Sequence, residues 1–102
     1  MKKNKEIKLK KILKNKVVLI TGGAGSIGSS LTKILLNYSV KSIRVFDNNE
    51  HALFKLSHSL DDSRVQPLLG DILNKDRVEL AVLDADIIIH TAALKNIEIT
   101  EY

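Results

Sequence analysis

The chain has no cysteine and no tryptophan, and a single proline and a single methionine among 102 residues. The missing thiols exclude structural disulfides and cysteine-based zinc sites. No apolar run approaches the ~20 residues that span a bilayer, and the N-terminus lacks the apolar centre of a secretion signal. These absences lead to the expectation of a cytoplasmic protein without stable membrane association. Aromatic residues are also scarce, two Phe and two Tyr. They are not interleaved with basic residues in the way that single-stranded nucleic acid requires, so no nucleic-acid partner is expected.

Charge is unevenly placed. Residues 1–16 hold eight lysines against Glu6, a net of +7; the whole chain carries +4, so residues 17–102 carry −3. The chain thus divides into a basic N-terminal extension, 1–16, and a mildly acidic unit, 17–102. Ile7, Leu9, Ile12 and Leu13 lie among the extension's charges. A short helix is one reading of it, a solvated and partly frayed arm the preferred one, and a weak contact with an anionic membrane or polymer the minor one.

Glycine is rare but concentrated: four of the five lie between Gly22 and Gly28. The strand-forming run Val17-Val18-Leu19-Ile20 leads directly into Thr21-Gly22-Gly23-Ala24-Gly25-Ser26-Ile27-Gly28. A strand followed by a glycine turn that opens a helix suits a dinucleotide. The backbone can approach a pyrophosphate closely, and the helix N-terminus supplies N–H donors and a positive dipole end. Two registers fit, Gly23-Gly25-Gly28 as G-x-G-x-x-G and Thr21-Gly22-Gly25-Gly28 as T-G-x-x-G-x-x-G. No Gly-Lys-Ser/Thr follows, which disfavours a nucleoside-triphosphate loop.

The rest alternates in the same way. Ile27, Leu31, Ile34, Leu35 and Tyr38 are spaced as one helical face, with Asn37 and Ser39 as a stop. A second strand, Ser42 to Phe46, ends in Asp47, where this architecture places a carboxylate for the ribose hydroxyls. Asn48 or Asn49 caps a helix carrying Ala52, Leu53, Leu56 and Leu60; a strand follows at Val65 to Leu69. Pro67 is tolerable there if that strand is a sheet edge. A helix over about Lys75 to Leu83 leads to Asp86-Ile87-Ile88-Ile89-His90, a run expected to be buried on both faces. The expected fold is α/β: a Rossmann-type parallel sheet of order 3-2-1-4 with helices on both faces, truncated after the fourth strand. His51 and His58 read as surface residues; His90 ends the fourth strand at the ligand-binding edge, as a hydrogen-bonded or a cofactor-contacting residue. No metal site is expected.

Later segments favour the second glycine register. With Leu69-Gly70-Asp71-Ile72 and Ile89-His90-Thr91-Ala92-Ala93-Leu94-Lys95, the chain resembles the extended branch of the short-chain dehydrogenase/reductase superfamily. Within it, the chain is similar to the nucleotide-sugar 4,6-dehydratases of capsular polysaccharide biosynthesis, although Asn96-Ile97-Glu98 stands where those enzymes carry His-Val-Pro. The resemblance runs from about Lys16 to Tyr102 and implies the N-terminal part of an NAD(P)-binding Rossmann domain. It implies cofactor contacts from Thr21, Gly22, Gly25, Ser26, Ile27, Gly28, Asp47, Asn48, Asp71, Ile72, Ala92, Ala93 and Lys95. NAD is the expected cofactor and NADP the alternative. The superfamily's catalytic Tyr-x-x-x-Lys pair is not matched: Tyr38 is followed at that spacing by Ser42, and Tyr102 by nothing. The chain by itself is therefore expected to be inactive, and a nucleotide sugar of the UDP-N-acetylhexosamine type to be a partner of the complete enzyme alone. A nucleotide-sugar 4-epimerase and a non-catalytic dinucleotide-binding module are the other readings. The fourth strand's outer edge is unpaired in these 102 residues, which suggests self-association as a homo-oligomer.

Overall fold

A computed structural model describes residues 2–91. Strands β1 (Val17–Thr21), β2 (Ser42–Asp47), β3 (Val65–Leu69) and β4 (Ile87–His90) form a parallel sheet of order β3-β2-β1-β4. Helices α1 (Lys2–Leu13), α2 (Ser26–Leu35), α3 (Glu50–Leu60) and α4 (Lys75–Val82) separate or precede the strands. β1 is central and buried along its whole length. In register, Leu19 lies beside Arg44 and Ile88, and Ile20 beside Val45 and Ile89.

Alternation along the strands builds two apolar layers. Val18, Ile20, Ile43, Val45 and Val65 face Leu35 of α2 and Leu53 and Leu56 of α3. On the other side, Leu19, Phe46 and Leu68 meet Val78, Ala81 and Val82 of α4. Helices therefore cover both faces, and every strand-to-strand crossover between consecutive parallel strands carries one. α3 and α4 start on asparagine caps: Asn49 Oδ1 accepts from the Ala52 N–H at 3.0 Å and Asn74 Oδ1 from the Arg77 N–H at 3.2 Å. Pro67 lies on β3, an edge strand, so its missing N–H removes no central ladder bond.

Three expectations need correction. Ile27 and Ile34 are about half exposed, and the inward face of α2 is Gly28, Thr32 and Leu35 with Leu31 beside it. The helix is seated by Gly28, and Ile27 and Ile34 lie roughly 100° round from it. Tyr38, expected to end that helix, follows it and packs against the core from the connecting loop. Next, β4 is not buried on both faces: Ile88 is 54% exposed, because among the described residues α4 covers β1 to β3 on that side and not β4. Finally, the basic arm is not a frayed tail but the regular helix α1, closed by Leu13 in the core.

Arg64 joins the start of β3 to the loop after α2. Its guanidinium donates to the carbonyls of Leu36 and Tyr38, both at 2.8 Å, and to the Asp62 carboxylate. Hydrogen bonding from Arg64 holds the Asp62 carboxyl below the usual carboxylate range. Because the folded state favours ionised Asp62, this contribution is present at neutral pH and is lost as the pH falls through the folded-state value. Arg64→Met removes both carbonyl bonds and is expected to lower unfolding stability by about 2 kcal/mol, read from urea midpoints. A midpoint unchanged from the parent would show that the loop holds itself.

Candidate functional site

Parallel strands direct their carboxyl ends to one edge, and there Gly22, Gly25, Asp47, Asn48, Gly70, Ile72 and Thr91 line a cleft of about 360 Å³. The glycine turn is pinned from below: the N–H groups of Gly22 and Gly23 both donate to the Phe46 carbonyl, at 2.8 and 3.2 Å. Gly22 has φ of 69°, a left-handed turn that a side chain would strain. A Cβ on Gly23 would meet Val45 Cγ1 at 2.5 Å, and one on Gly28 would meet the Gly23 Cα at 2.4 Å. Gly25 differs: its φ is −73°, it is exposed, and the nearest atom to an added Cβ is the Gly22 carbonyl oxygen at 3.4 Å. The protein's own packing does not require glycine there; a side chain would project into the open space of the cleft.

α2 starts at this turn without a side-chain cap, unlike α3 and α4. The first-turn N–H groups of Ser26 and Ile27 have no intrahelical acceptor, so donors and the positive dipole end meet at the mouth of the cleft. That arrangement suits an anion.

Asp47 ends β2 and faces the turn. Its Oδ2 accepts from the Ala24 N–H at 3.1 Å and its Oδ1 from the Asn49 N–H at 3.0 Å. One carboxylate thus ties the glycine turn to the start of α3, and each oxygen retains an acceptor site. Thr91, just beyond β4, closes the floor: its hydroxyl donates to the Thr21 carbonyl at 2.8 Å and its N–H to the same oxygen at 2.9 Å. The Thr21 hydroxyl pairs with His90 Nδ1. His90 is accordingly hydrogen-bonded to β1, one of the two roles read from its position.

The structure brings together Thr21, Gly22, Gly25, Ser26, Ile27, Gly28, Asp47, Asn48 and Ile72 around this edge. Asp71 stands beside the cleft rather than in its lining; its Oδ1 accepts from the Leu73 N–H at 2.9 Å, in the turn that leads to α4. Ala92, Ala93 and Lys95 lie outside the described residues. Gly70 and Thr91 line the cleft without having been singled out. For both a signal existed, since they stand in the segments Leu69 to Ile72 and Ile89 to Lys95 that carry the resemblance; in the structure a Cβ on Gly70 would meet the Phe46 ring at 2.7 Å.

The fold and this edge define a Rossmann-type α/β unit of the short-chain dehydrogenase/reductase class. The sequence profile of the family described as polysaccharide biosynthesis protein matches residues 18–102, and the chain belongs to that family. An uncharacterized membrane protein of Methanocaldococcus jannaschii is 45% identical over 89 residues, covering 87% of this chain and 27% of the relative. A UDP-N-acetylglucosamine 4,6-dehydratase (inverting) of Campylobacter jejuni is 38% identical over 88 residues, covering 85% and 26%. Among solved structures, Pen from Bacillus thuringiensis superposes with a TM-score of 0.78 at 40% identity, over 82% of this chain and 26% of that one. A UDP-glucuronic acid 4-epimerase from Bacillus cereus, solved with UDP-glucuronic acid and NAD, gives 0.60 at 34% identity, over 74% and 26%. The chain spans about a quarter of the length of the curated relatives it matches. Among the described residues no helix is long and apolar enough to cross a membrane.

Proposed function

We propose that this chain is the NAD-binding portion of a nucleotide-sugar 4,6-dehydratase of polysaccharide biosynthesis, acting on a UDP-N-acetylhexosamine. The observation that carries the cofactor reading is Gly25, whose missing side chain leaves space in the cleft beside an uncapped helix start and an acidic strand end. Those features fit a dinucleotide. The turn from Gly22 to Gly28 would hold the pyrophosphate, with the N–H groups of Ser26 and Ile27 as donors. Asp47 and Asn48 would hold the adenosine ribose, and Asp71 and Ile72 would border the adenine. Lys95, with Ala92 and Ala93, is assigned to the cofactor on the family motif.

When bound, the cofactor takes and returns hydride. The residues described here bind and orient it, while proton transfer from the sugar is assigned to a Tyr-x-x-x-Lys pair that this chain does not contain. The chain alone is therefore assigned no turnover. The second reading, a 4-epimerase, is supported by the likeness to the Bacillus cereus epimerase. Product analysis of the complete gene product separates them: loss of water from the sugar supports the dehydratase, and C4 inversion without it overturns that assignment. Self-association as a homo-oligomer belongs to the same proposal, supported by the exposed Ile88 on β4. The compartment we assign is the cytoplasm.

Cofactor choice follows from the charge at the ribose end. Asp47 is followed by Asn48, Asn49 and Glu50, with no adjacent arginine to accept a 2′-phosphate. NAD is expected to bind at least about tenfold more tightly than NADP, some 1.4 kcal/mol, and Asp47→Asn to narrow the gap. Calorimetric titration of both cofactors checks this. Equal or tighter binding of NADP would overturn it.

A further inference from the structure

The cofactor cleft lies at the carboxyl edge of the sheet, and the largest charge anomaly lies at the other end. α1 runs from Lys2 to Leu13 and enters β1 at its amino end through Asn15 and Lys16. It is attached rather than trailing: Leu13 is 4% exposed in the core, and the Asn15 N–H donates to the Ser39 carbonyl at 2.7 Å. From Lys3 to Ile12 every residue is exposed. Lys5, Lys8 and Lys11 follow at three-residue steps, so like charges stack along one side of the helix and weaken it. A 12-residue helix in which, among the described side chains, Leu13 alone is buried against its own protein is marginal in water. The rest of the chain is only mildly acidic, and among the described residues no carboxylate forms an ion pair with the lysines of α1.

We propose that α1 is a docking surface for an anionic lipid bilayer, and that it holds the unit with its cofactor cleft directed away from that surface. Charge complementarity supports this occupant: residues 1–16 carry +7. The basic residues of α1 are all lysines, compact point charges on flexible stems suited to a headgroup layer, and there is no arginine fork for reading single phosphates. Ile7, Leu9 and Ile12 are exposed between them at 50%, 39% and 56%. These aliphatics favour a lipid boundary over a nucleic-acid groove. They are not gathered on one stripe, so the contact is shallow and mainly electrostatic.

Cosedimentation of the full chain with vesicles tests the proposal. Binding to phosphatidylcholine vesicles containing about 30 mol% phosphatidylglycerol is expected to exceed binding to pure phosphatidylcholine at least about tenfold at ~0.05 M salt, and to fall at least about tenfold by ~0.5 M. Replacing Lys3, Lys5, Lys8, Lys10 and Lys11 together with Gln should reduce it to the phosphatidylcholine level, while NAD titration and circular dichroism report an intact core. Ile7→Ser with Ile12→Ser removes no charge and should weaken vesicle binding about threefold, leaving any duplex-DNA binding unchanged. Equal binding to both vesicle types, undiminished binding by the five-Gln variant, or no response to the paired Ser changes would each overturn the proposal, the last in favour of a general polyanion contact.

Discussion

Replacing Gly25 by valine is expected to lower NAD affinity about a thousandfold, roughly 4 kcal/mol, in a protein that still folds. Gly25 has an ordinary φ of −73°, so valine strains nothing in the backbone. Its Cβ would stand 3.4 Å from the Gly22 carbonyl oxygen, in van der Waals contact with the protein. The branched methyls must then enter the cleft that Gly22, Asp47 and Thr91 also line. Valine is a poorer residue than glycine at a helix start, so a stability loss of up to about 1 kcal/mol accompanies the change. NAD titration and a urea melt of the same sample separate the two effects. Unchanged affinity in a folded variant would show that this turn is not the pyrophosphate cradle, whereas loss of affinity together with the fold would show that Gly25 serves packing.

The sequence made the strands, the helices and the glycine turn legible because each depends on local pattern, and the strand order followed from the Rossmann-type class they indicate. Four short apolar runs alternate with helical spacing, and Asn49 and Pro67 stand where a cap and an edge strand require them. The choice between two glycine registers was not decidable from spacing, and the structure shows why: all four glycines are used. Gly22 turns, Gly23 packs on Val45, Gly25 stays open and Gly28 contacts the turn, so both patterns describe parts of one object. Rotation of α2 escaped because apolar spacing gathers Ile27, Leu31 and Ile34 on one side, whereas a backbone contact at Gly28 sets the seat. A residue without a side chain carries no hydropathy signal. The exposure of Ile88 escaped for another reason: the apolar run is the same whether or not a helix covers it, and α4 reaches β1 to β3 only. Likewise Asp47 was readable as a ribose ligand by position, but its bonds to the Ala24 and Asn49 N–H groups depend on two loops meeting in space.

Gly28→Ala is expected to act on the fold where Gly25→Val acts on the ligand. An added Cβ would lie 2.4 Å from the Gly23 Cα, 2.7 Å from the Gly23 carbonyl carbon and 2.7 Å from the Gly22 carbonyl oxygen. All three are backbone atoms of a turn already fixed by two bonds to the Phe46 carbonyl, so no side chain can swing aside. α2 must instead lift from β1, which opens the layer where Leu35 and Thr32 are buried. Overpacking of this kind costs about 3 kcal/mol or more, and alanine's better helix propensity returns only about 1. The net loss of roughly 2 kcal/mol or more should lower Tm by about 10 °C in a unit of this size. NAD affinity should fall as well, because the Ser26 and Ile27 donors move with the helix. A Tm equal to the parent's would show that the turn yields to the methyl group and that the close contact between α2 and β1 does not set the helix position.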